Sequence, residues 1–213
     1  MRSDASADIP YRIGLTGNIA TGKTTVGHML VELGAELIDA DRVAHAVMAP
    51  EGAAYEPVVE AFGSDILAQD GTIDRGKLGR RVFSDPAALR RLEALVHPPV
   101  IAAVERRIAC SSAPVVVVEA IKLLESGMAA SYEAIWVTTC SSATQLERLV
   151  KGRGMDSDAA LQRIRAQPPQ EEKLAQADVV IDTEGTLDET RAQVRTAWCE
   201  IRQEAAGDCE DDG

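Results

Sequence analysis

The chain has 213 residues, of which 46% are hydrophobic and 3% are aromatic, and its formal net charge is −12. This length suits one globular domain with insertions, and the scarcity of aromatic residues predicts an aliphatic core, as in a parallel sheet covered by helices. The acidic charge argues against nucleic acid or an anionic membrane as a partner, because both attract basic surfaces.

Cysteine spacing and the chain ends predict a cytoplasmic protein. The four cysteines show neither a Cys-x-x-Cys pair nor the spacing of metal ligands, so the sequence favours reduced thiols over zinc or disulfides. Its apolar runs are shorter than the roughly 20 residues of a membrane span. Residues 1–10 are predicted to be a flexible leader and residues 205–213 a disordered acidic tail. We expect a monomer or a weak homo-oligomer.

The first predicted element is a strand at residues 11–16, which runs into a phosphate-binding loop. The loop fits the pattern Gly, any four residues, Gly-Lys-Ser/Thr, with the residues Gly17, Asn18, Ile19, Ala20, Thr21, Gly22, Lys23 and Thr24. Its glycines let backbone N–H groups turn towards phosphate oxygens. Lys23 adds a positive charge for the outer phosphates, and the Thr24 hydroxyl is a ligand for Mg²⁺. A glycine loop without a ligand is the alternative.

A helix and a second strand are predicted to follow the loop. Apolar residues recur with helical spacing through residues 25–33, and Gly34 is placed to end that helix. The short run at residues 35–39 then reads as a strand. Residues 11–39 thus form one strand-loop-helix-strand unit.

Two carboxylates, Asp39 and Asp41, follow the second strand. Ligands of open parallel sheets bind at the carboxyl ends of strands, so one of these groups is a candidate to accept a proton from an attacking hydroxyl or to hold Mg²⁺ through water. The alternative is structural, with Asp41 capping a helix that begins at Arg42.

Residues 42–112 are predicted to be a helical insertion that helps to bind a second substrate. Ser84 or Asp85 is expected to cap a helix, and the pair Pro98-Pro99 is expected to end or kink it. His97 either contacts the substrate or forms a hydrogen bond at the helix end.

Three further strands are predicted, at residues 114–119, 134–139 and 178–182. The first delivers Glu119 and Lys122 to the edge that carries the phosphate loop. Glu119 is a candidate to place water on magnesium and Lys122 to meet phosphate, although the two are equally able to form a surface ion pair. A helix is predicted to follow the last strand, to about residue 204.

A basic segment lies between the fourth and fifth predicted strands. Residues 148–165 carry five positive and two negative side chains, which suits a polyanionic small molecule. Arg153 lies between two glycines, as in a mobile turn, and residues 146–172 are predicted to be a closing lid. The alternative is a pair of solvated charged helices.

The order of these motifs resembles the dephospho-coenzyme A kinase family over residues 12 to about 200. The motifs that carry the resemblance are Ile13-Gly14-Leu15-Thr16-Gly17, Ile38-Asp39-Ala40-Asp41, Ala61-Phe62-Gly63, Asp70-Gly71, Val96-His97-Pro98, Leu123-Leu124-Glu125-Ser126-Gly127, Arg153-Gly154-Met155, Gln167 and Ala177-Asp178-Val179-Val180-Ile181-Asp182. We predict an α/β fold of P-loop NTPase type: a three-layer sandwich with a five-stranded parallel sheet, a core at residues 11–41 and 113–204, a helical insertion and a lid.

The resemblance implies that ATP with Mg²⁺ phosphorylates the ribose 3′-hydroxyl of dephospho-coenzyme A. It makes Asp41 the base and a metal neighbour, with Lys23 and the lid residue Arg153 as catalytic cations. ATP would be held by residues 17–25, including Thr25, and by Thr183 and Gly185 near adenine, and the acceptor by Asp41 and the helical insertion. The residues themselves make Asp39, His97 and Lys122 further candidates to contact the acceptor. Metal binding would fall to Thr24 and Asp41.

The chain departs from the usual family pattern at several points. Asn18, Ala20, Thr21 and Thr24 differ in the loop, and alanine is less comfortable than glycine if residue 20 is left-handed. Lys122 and the prolines at 168 and 169 are also unusual.

Alternative functions remain. Another small P-loop kinase, for a nucleoside, nucleotide or sugar, shares most of these features, and a nucleotide-binding regulator shares the loop. A GTPase switch is disfavoured because Asp182-Thr183-Glu184-Gly185 lies far from the loop and Asn-Lys-x-Asp is absent.

Overall fold

The structure, a computed structural model, describes residues 9–83 and 85–207. Most of the predicted leader, the predicted tail from residue 208 and Ser84 lie outside these residues. The described chain divides into two compact units, Asp39–Cys110 and the residues on either side of it. Among the described helices, none combines the length and apolar character that crossing a bilayer requires.

The strands and helices follow the order expected for an α/β protein. The strands are β1 (Tyr11–Thr16), β2 (Glu36–Asp39), β3 (Val115–Glu119), β4 (Ala134–Thr139) and β5 (Val179–Asp182). In the described residues the α-helices are α1 (Lys23–Glu32), α2 (Ala40–Val47), α3 (Tyr55–Phe62), α4 (Arg75–Phe83), α5 (Pro86–Ala109), α6 (Ser142–Glu147), α7 (Ser157–Arg165), α8 (Gln170–Leu174) and α9 (Leu187–Gly207). The last helix therefore extends three residues beyond its predicted end.

The strands form one five-stranded sheet in the order β2-β3-β1-β4-β5. β1 pairs in parallel with β3 and with β4, and β4 pairs in parallel with β5. The predicted parallel α/β fold is confirmed. Because parallel strands run in one direction, the loops after β1, β3, β4 and β5 all leave the same edge of the sheet.

The core of the first unit, which contains the sheet, is mainly aliphatic, as the composition predicts. Ile13 and Leu15 of β1 are fully buried and belong to one apolar cluster with Val26 and Leu30 of α1 and Val194 of α9. Each such side chain contributes roughly 1.5–3 kcal/mol when removed from water. This packing fixes α1 directly behind the loop that joins it to β1.

The second unit contains α2 to α5. α5 packs against α2, α3 and α4, and a buried stripe of Val96, Val100, Val104 and Ile108 follows its helical repeat. Asp85 caps α5 by accepting a hydrogen bond from the Ala87 amide, as predicted. The helix does not end at Pro98-Pro99, which lie inside it. Burying the apolar stripe on both sides of the prolines stabilises the helix. This gain exceeds the cost of the two backbone N–H donors that the prolines lack.

Candidate active site

The phosphate loop leaves the carboxyl end of β1 and leads into α1. Gly17 has φ +149, and a Cβ there would lie 2.4 Å from Thr138 Oγ1, so a side chain does not fit. Gly22 has φ +86 and precedes the first residue of the helix. Lys23 is 7% exposed, and its Nζ donates to Gly17 O at 3.0 Å and to Asn18 O at 3.1 Å. The lysine ammonium is thus held against the loop.

The non-glycine residue of the loop with a left-handed backbone is Ala20, with φ +60. Asn18, which also departs from the usual family loop, does not have a positive φ. Its side chain instead donates from Nδ2 to Pro168 O at 3.1 Å. Asn18 therefore links the loop to the segment that contains Pro168 and Pro169. The residue that has the unfavourable left-handed backbone is Ala20.

The outer side of the loop is held by side chains from other elements. Three successive carbonyls accept hydrogen bonds: Ile19 O from Gln145 Nε2 at 2.9 Å, Ala20 O from Arg148 Nη1 at 3.1 Å, and Thr21 O from Thr183 Oγ1 at 2.9 Å. Sequence reasoning missed this role of Gln145 and Arg148. Their spacing of three residues, which places both on one helix face, is the signal that was available.

Thr24 and Glu119 bring a hydroxyl and a carboxylate together beside the loop. Thr24 Oγ1 donates to Glu119 Oε1 at 3.0 Å. Oxygen ligands of these two kinds fit Mg²⁺, which commonly keeps several waters and takes phosphate oxygens as further ligands. Within the described residues no group of three or more His, Cys, Asp or Glu side chains is arranged to hold a metal. An ion here would therefore need water and phosphate to complete its coordination.

Side chains of residues 167–173, at the end of the predicted lid, form hydrogen bonds at the sheet edge. Gln167 Oε1 accepts a hydrogen bond from the Ile19 amide at 2.7 Å. Lys173, 2% exposed, donates to Ile121 O at 2.8 Å and to Glu125 Oε1 at 2.9 Å. No sequence pattern predicted a buried lysine here, because α8 is short and mostly charged.

Two of the five positive side chains in the basic segment, Arg148 and Lys151, have polar partners within the chain. α6 continues into a π-helical turn, Arg148–Gly152, in which Arg148 faces the loop carbonyls. Lys151 pairs with Glu147 at 2.7 Å. Arg153 is exposed at the end of the turn, ahead of Gly154. Arg163 and Arg165, on α7, are exposed as well.

Glu184 and Cys140 lie beside the loop in different environments. Glu184 accepts hydrogen bonds from the Thr144 hydroxyl and from Ser141, and these bonds hold the pKa of its carboxyl below the usual value. Burial raises the pKa of the Cys140 thiol, with the Arg148 cation acting in the opposite direction. The Thr183 hydroxyl, predicted near adenine, is engaged by Thr21 O and by Arg148.

Three predicted acceptor residues lie in the second unit. Asp39 caps α2, its Oδ1 accepting from the Arg42 amide at 2.9 Å. The capping alternative for Asp41 is therefore wrong, and Asp41 lies in the first turn of α2. His97 is half-buried within α5, so it is not a residue at a helix end. In the first unit, Lys122 is exposed after β3, and Thr25 is exposed in α1.

Comparisons with known proteins extend over most of the chain. The family model described as dephospho-CoA kinase matches residues 11–189. A dephospho-CoA kinase of Streptomyces avermitilis is 45% identical over 191 residues, which cover 89% of this chain and 93% of that protein.

Two solved structures match with similar coverage. The crystal structure of TT1252 from Thermus thermophilus has a TM-score of 0.79 and 30% identity, covering 90% of this chain and 98% of that one. A dephospho-CoA kinase from Campylobacter jejuni has a TM-score of 0.65 and 25% identity, covering 91% and 98%. With both the family model and a relative of this identity matching most of its length, the chain belongs to the dephospho-CoA kinase family.

Proposed function

We propose that this protein transfers the γ-phosphoryl group of ATP to the ribose 3′-hydroxyl of dephospho-CoA, giving CoA and ADP in the last step of CoA biosynthesis. The observation that carries the proposal is the phosphate loop, with Lys23 folded against it, inside a family match that spans residues 11–189. ATP and dephospho-CoA are its small-molecule partners, and we expect it to act in the cytoplasm.

The loop residues bind and orient the triphosphate. Backbone amides of residues 17–25 and the Lys23 ammonium attract the phosphate oxygens, with Thr183 and Gly185 on the adenine side. Bound Mg²⁺, held by Thr24 and by Asp41 through water, would neutralise charge on the β- and γ-phosphates. Glu119 forms a hydrogen bond with Thr24, so its carboxylate also lies beside the proposed magnesium site.

The remaining site residues act on the acceptor and on the transferred group. Asp41 accepts the proton of the 3′-hydroxyl as the hydroxyl attacks, and Arg153 stabilises the charge of the phosphoryl group in transfer. Asp39, His97 and Lys122 contact the acceptor. Support for the roles of Asp39, Asp41, His97 and Arg153 comes from their positions in the family motifs, and for Asp41 also from its placement directly after β2. Lys122 departs from the family pattern, and its role is supported by its exposed position after β3.

The test is a direct assay of the purified protein with MgATP and a panel of acceptors. The panel contains dephospho-CoA, adenosine, AMP, shikimate and gluconate, and the assay follows ADP and the phosphorylated product. Product from dephospho-CoA alone supports the proposal, whereas preference for another acceptor makes the protein a different P-loop kinase. Flat calorimetric titrations of folded protein with MgATP would contradict nucleotide binding altogether, and Lys23→Ala is the matched control.

A further inference from the structure

We infer that Arg148, Gln145 and Thr183 are positioning residues for triphosphate binding, because they hold three carbonyls of the phosphate loop away from the ligand. The inference rests on the proposed function and deepens it, since it names the groups that prepare the loop for phosphate. For Arg148 and Gln145 it is a role outside the predicted site.

The geometry of the peptide group connects these contacts to phosphate binding. A peptide is planar, so its C=O and its N–H point in opposite directions. The carbonyl of Ala20 shares a peptide with the Thr21 amide, and those of Ile19 and Thr21 share peptides with the amides of Ala20 and Gly22. Holding the three carbonyls outward therefore turns the Ala20 and Gly22 amides inward. The Thr21 nitrogen lies 3.4 Å from Asn18 O, at the limit of a hydrogen bond.

Arg148 has the central position among the three residues. Its Nη1 bonds the carbonyl of Ala20, the residue with the unfavourable φ of +60. The same guanidinium donates to Thr183 Oγ1 at 3.0 Å and to Thr183 O. Since Thr183 in turn bonds Thr21 O, one side chain steadies two successive peptides of the loop.

Burial makes these hydrogen bonds consequential. Gln145 and Thr183 are each 4% exposed, so water does not readily replace the bond that either residue makes. Arg148 is half-buried, so its guanidinium is partly shielded from water where it bonds the loop. Losing any of the three removes a strong hydrogen-bond donor from a loop carbonyl and leaves that peptide freer to rotate. Without Arg148, Ala20 O would face the Cys140 thiol, a weak donor whose Sγ lies 3.9 Å away.

The test compares three near-isosteric variants, Arg148→Met, Gln145→Met and Thr183→Val, with wild type. The measurements are the KM for MgATP, the KM for dephospho-CoA, the Ki for inorganic tripolyphosphate as a competitor of ATP, and the Tm. We expect the KM for MgATP and the Ki for tripolyphosphate to rise together by about tenfold, with the KM for dephospho-CoA within about twofold of wild type.

Two further variants sharpen the result. Arg148→Lys should recover only part of the affinity, because one ammonium does not reach both Ala20 and Thr183 as a guanidinium does. Arg195→Met, which removes an exposed arginine of α9, is the control and should leave all of these constants unchanged.

Several results would overturn the inference. An unchanged KM for MgATP in all three variants is one. A rise in that KM with an unchanged tripolyphosphate Ki is another, because it would place the contacts on adenosine. Equal rises for both substrates with a lowered Tm would show general damage. If wild type binds MgATP but does not phosphorylate dephospho-CoA, the proposed function fails, and calorimetry with MgATP tests the three variants instead.

Discussion

The Thr24 hydroxyl donates a 3.0 Å hydrogen bond to Glu119 Oε1, joining the start of α1 to the last residue of β3. A helix and a strand are thereby linked by a polar contact beside the phosphate loop. The contact joins Thr24, predicted as a metal ligand, to Glu119, whose role the sequence left open between a magnesium site and a surface ion pair.

The first prediction concerns Glu119. Glu119→Gln keeps the size of the side chain and removes its charge, so turnover should fall about tenfold or more and half-maximal activity should need more Mg²⁺. Turnover measured as a function of Mg²⁺ concentration checks this, with Glu200→Gln on α9 as the control. Identical magnesium curves for Glu119→Gln and wild type would exclude Glu119 from the metal environment.

A second prediction separates the base from the binding residues. Asp41→Asn should lower turnover by around 10²-fold while the affinity for ATP is nearly kept, because the amide accepts no proton. Steady-state kinetics and calorimetry with MgATP provide the two readouts. Glu60→Gln, an exposed carboxylate in the same unit, is the control. If Asp41→Asn turns over like wild type, another group is the base.

The third prediction tests the strain at Ala20. Its φ of +60 costs an L residue roughly 1–2 kcal/mol, whereas glycine adopts it readily. Glycine also gains entropy in the unfolded chain, so Ala20→Gly should raise the free energy of unfolding by about 1 kcal/mol or slightly less. Urea unfolding measures the change. Ala177→Gly, at a loop position outside the left-handed region, should be destabilising, and a similar loss at residue 20 would disprove the strain.

A fourth prediction concerns the ion pair between Lys173 and Glu125, 2.9 Å long and buried on the lysine side. Lys173→Met and Glu125→Gln should each lower the free energy of unfolding by about 1–3 kcal/mol, because each leaves one polar partner inadequately compensated. The double variant should lose about 1 kcal/mol less than the sum. Urea unfolding of all four proteins completes the cycle, and strict additivity would mean that the pair has no coupling.

The fifth prediction follows from the pKa of Glu184, which hydrogen bonds from Thr144 and Ser141 lower in the folded state. A lowered carboxyl pKa stabilises the folded protein above the unfolded-state pKa of about 4.3, and this contribution is lost as the pH falls towards the folded-state value. Glu184→Gln should therefore reduce the Tm most near neutral pH, with the difference from wild type narrowing below about pH 4.3. A difference in Tm that stays constant from pH 7 to pH 3 would contradict this linkage.

Local patterns predicted the first unit well. β1 matches its predicted bounds at Tyr11–Thr16, and β4 matches at Ala134–Thr139, because apolar runs with clear turn signals specify buried parallel strands. The phosphate loop was equally readable, since its glycines have positions that other residues do not fit. Element order then led to the family.

What the sequence concealed depends on contacts between distant residues. The bond from Arg148 to Ala20 O joins positions 128 apart, and the bond from Lys173 to Ile121 O joins positions 52 apart. No periodicity reports such pairs. Local propensity also misled at Pro98-Pro99, where the packing of α5 maintains the helix despite the missing donors.

The hydrogen bond from the Ile19 amide to Gln167 has a consequence for nucleotide entry. A phosphate oxygen that accepts a hydrogen bond from the Ile19 amide must displace the Gln167 side chain. The number of hydrogen bonds that this amide makes is therefore unchanged when the nucleotide binds. Gln167 lies just before α8, and α8 is held in place by the hydrogen bond from Lys173 to Ile121 O. Because Asn18 bonds Pro168 O and Lys173 bonds Ile121 O, this exchange releases the side chain of Gln167 while the segment after it stays anchored.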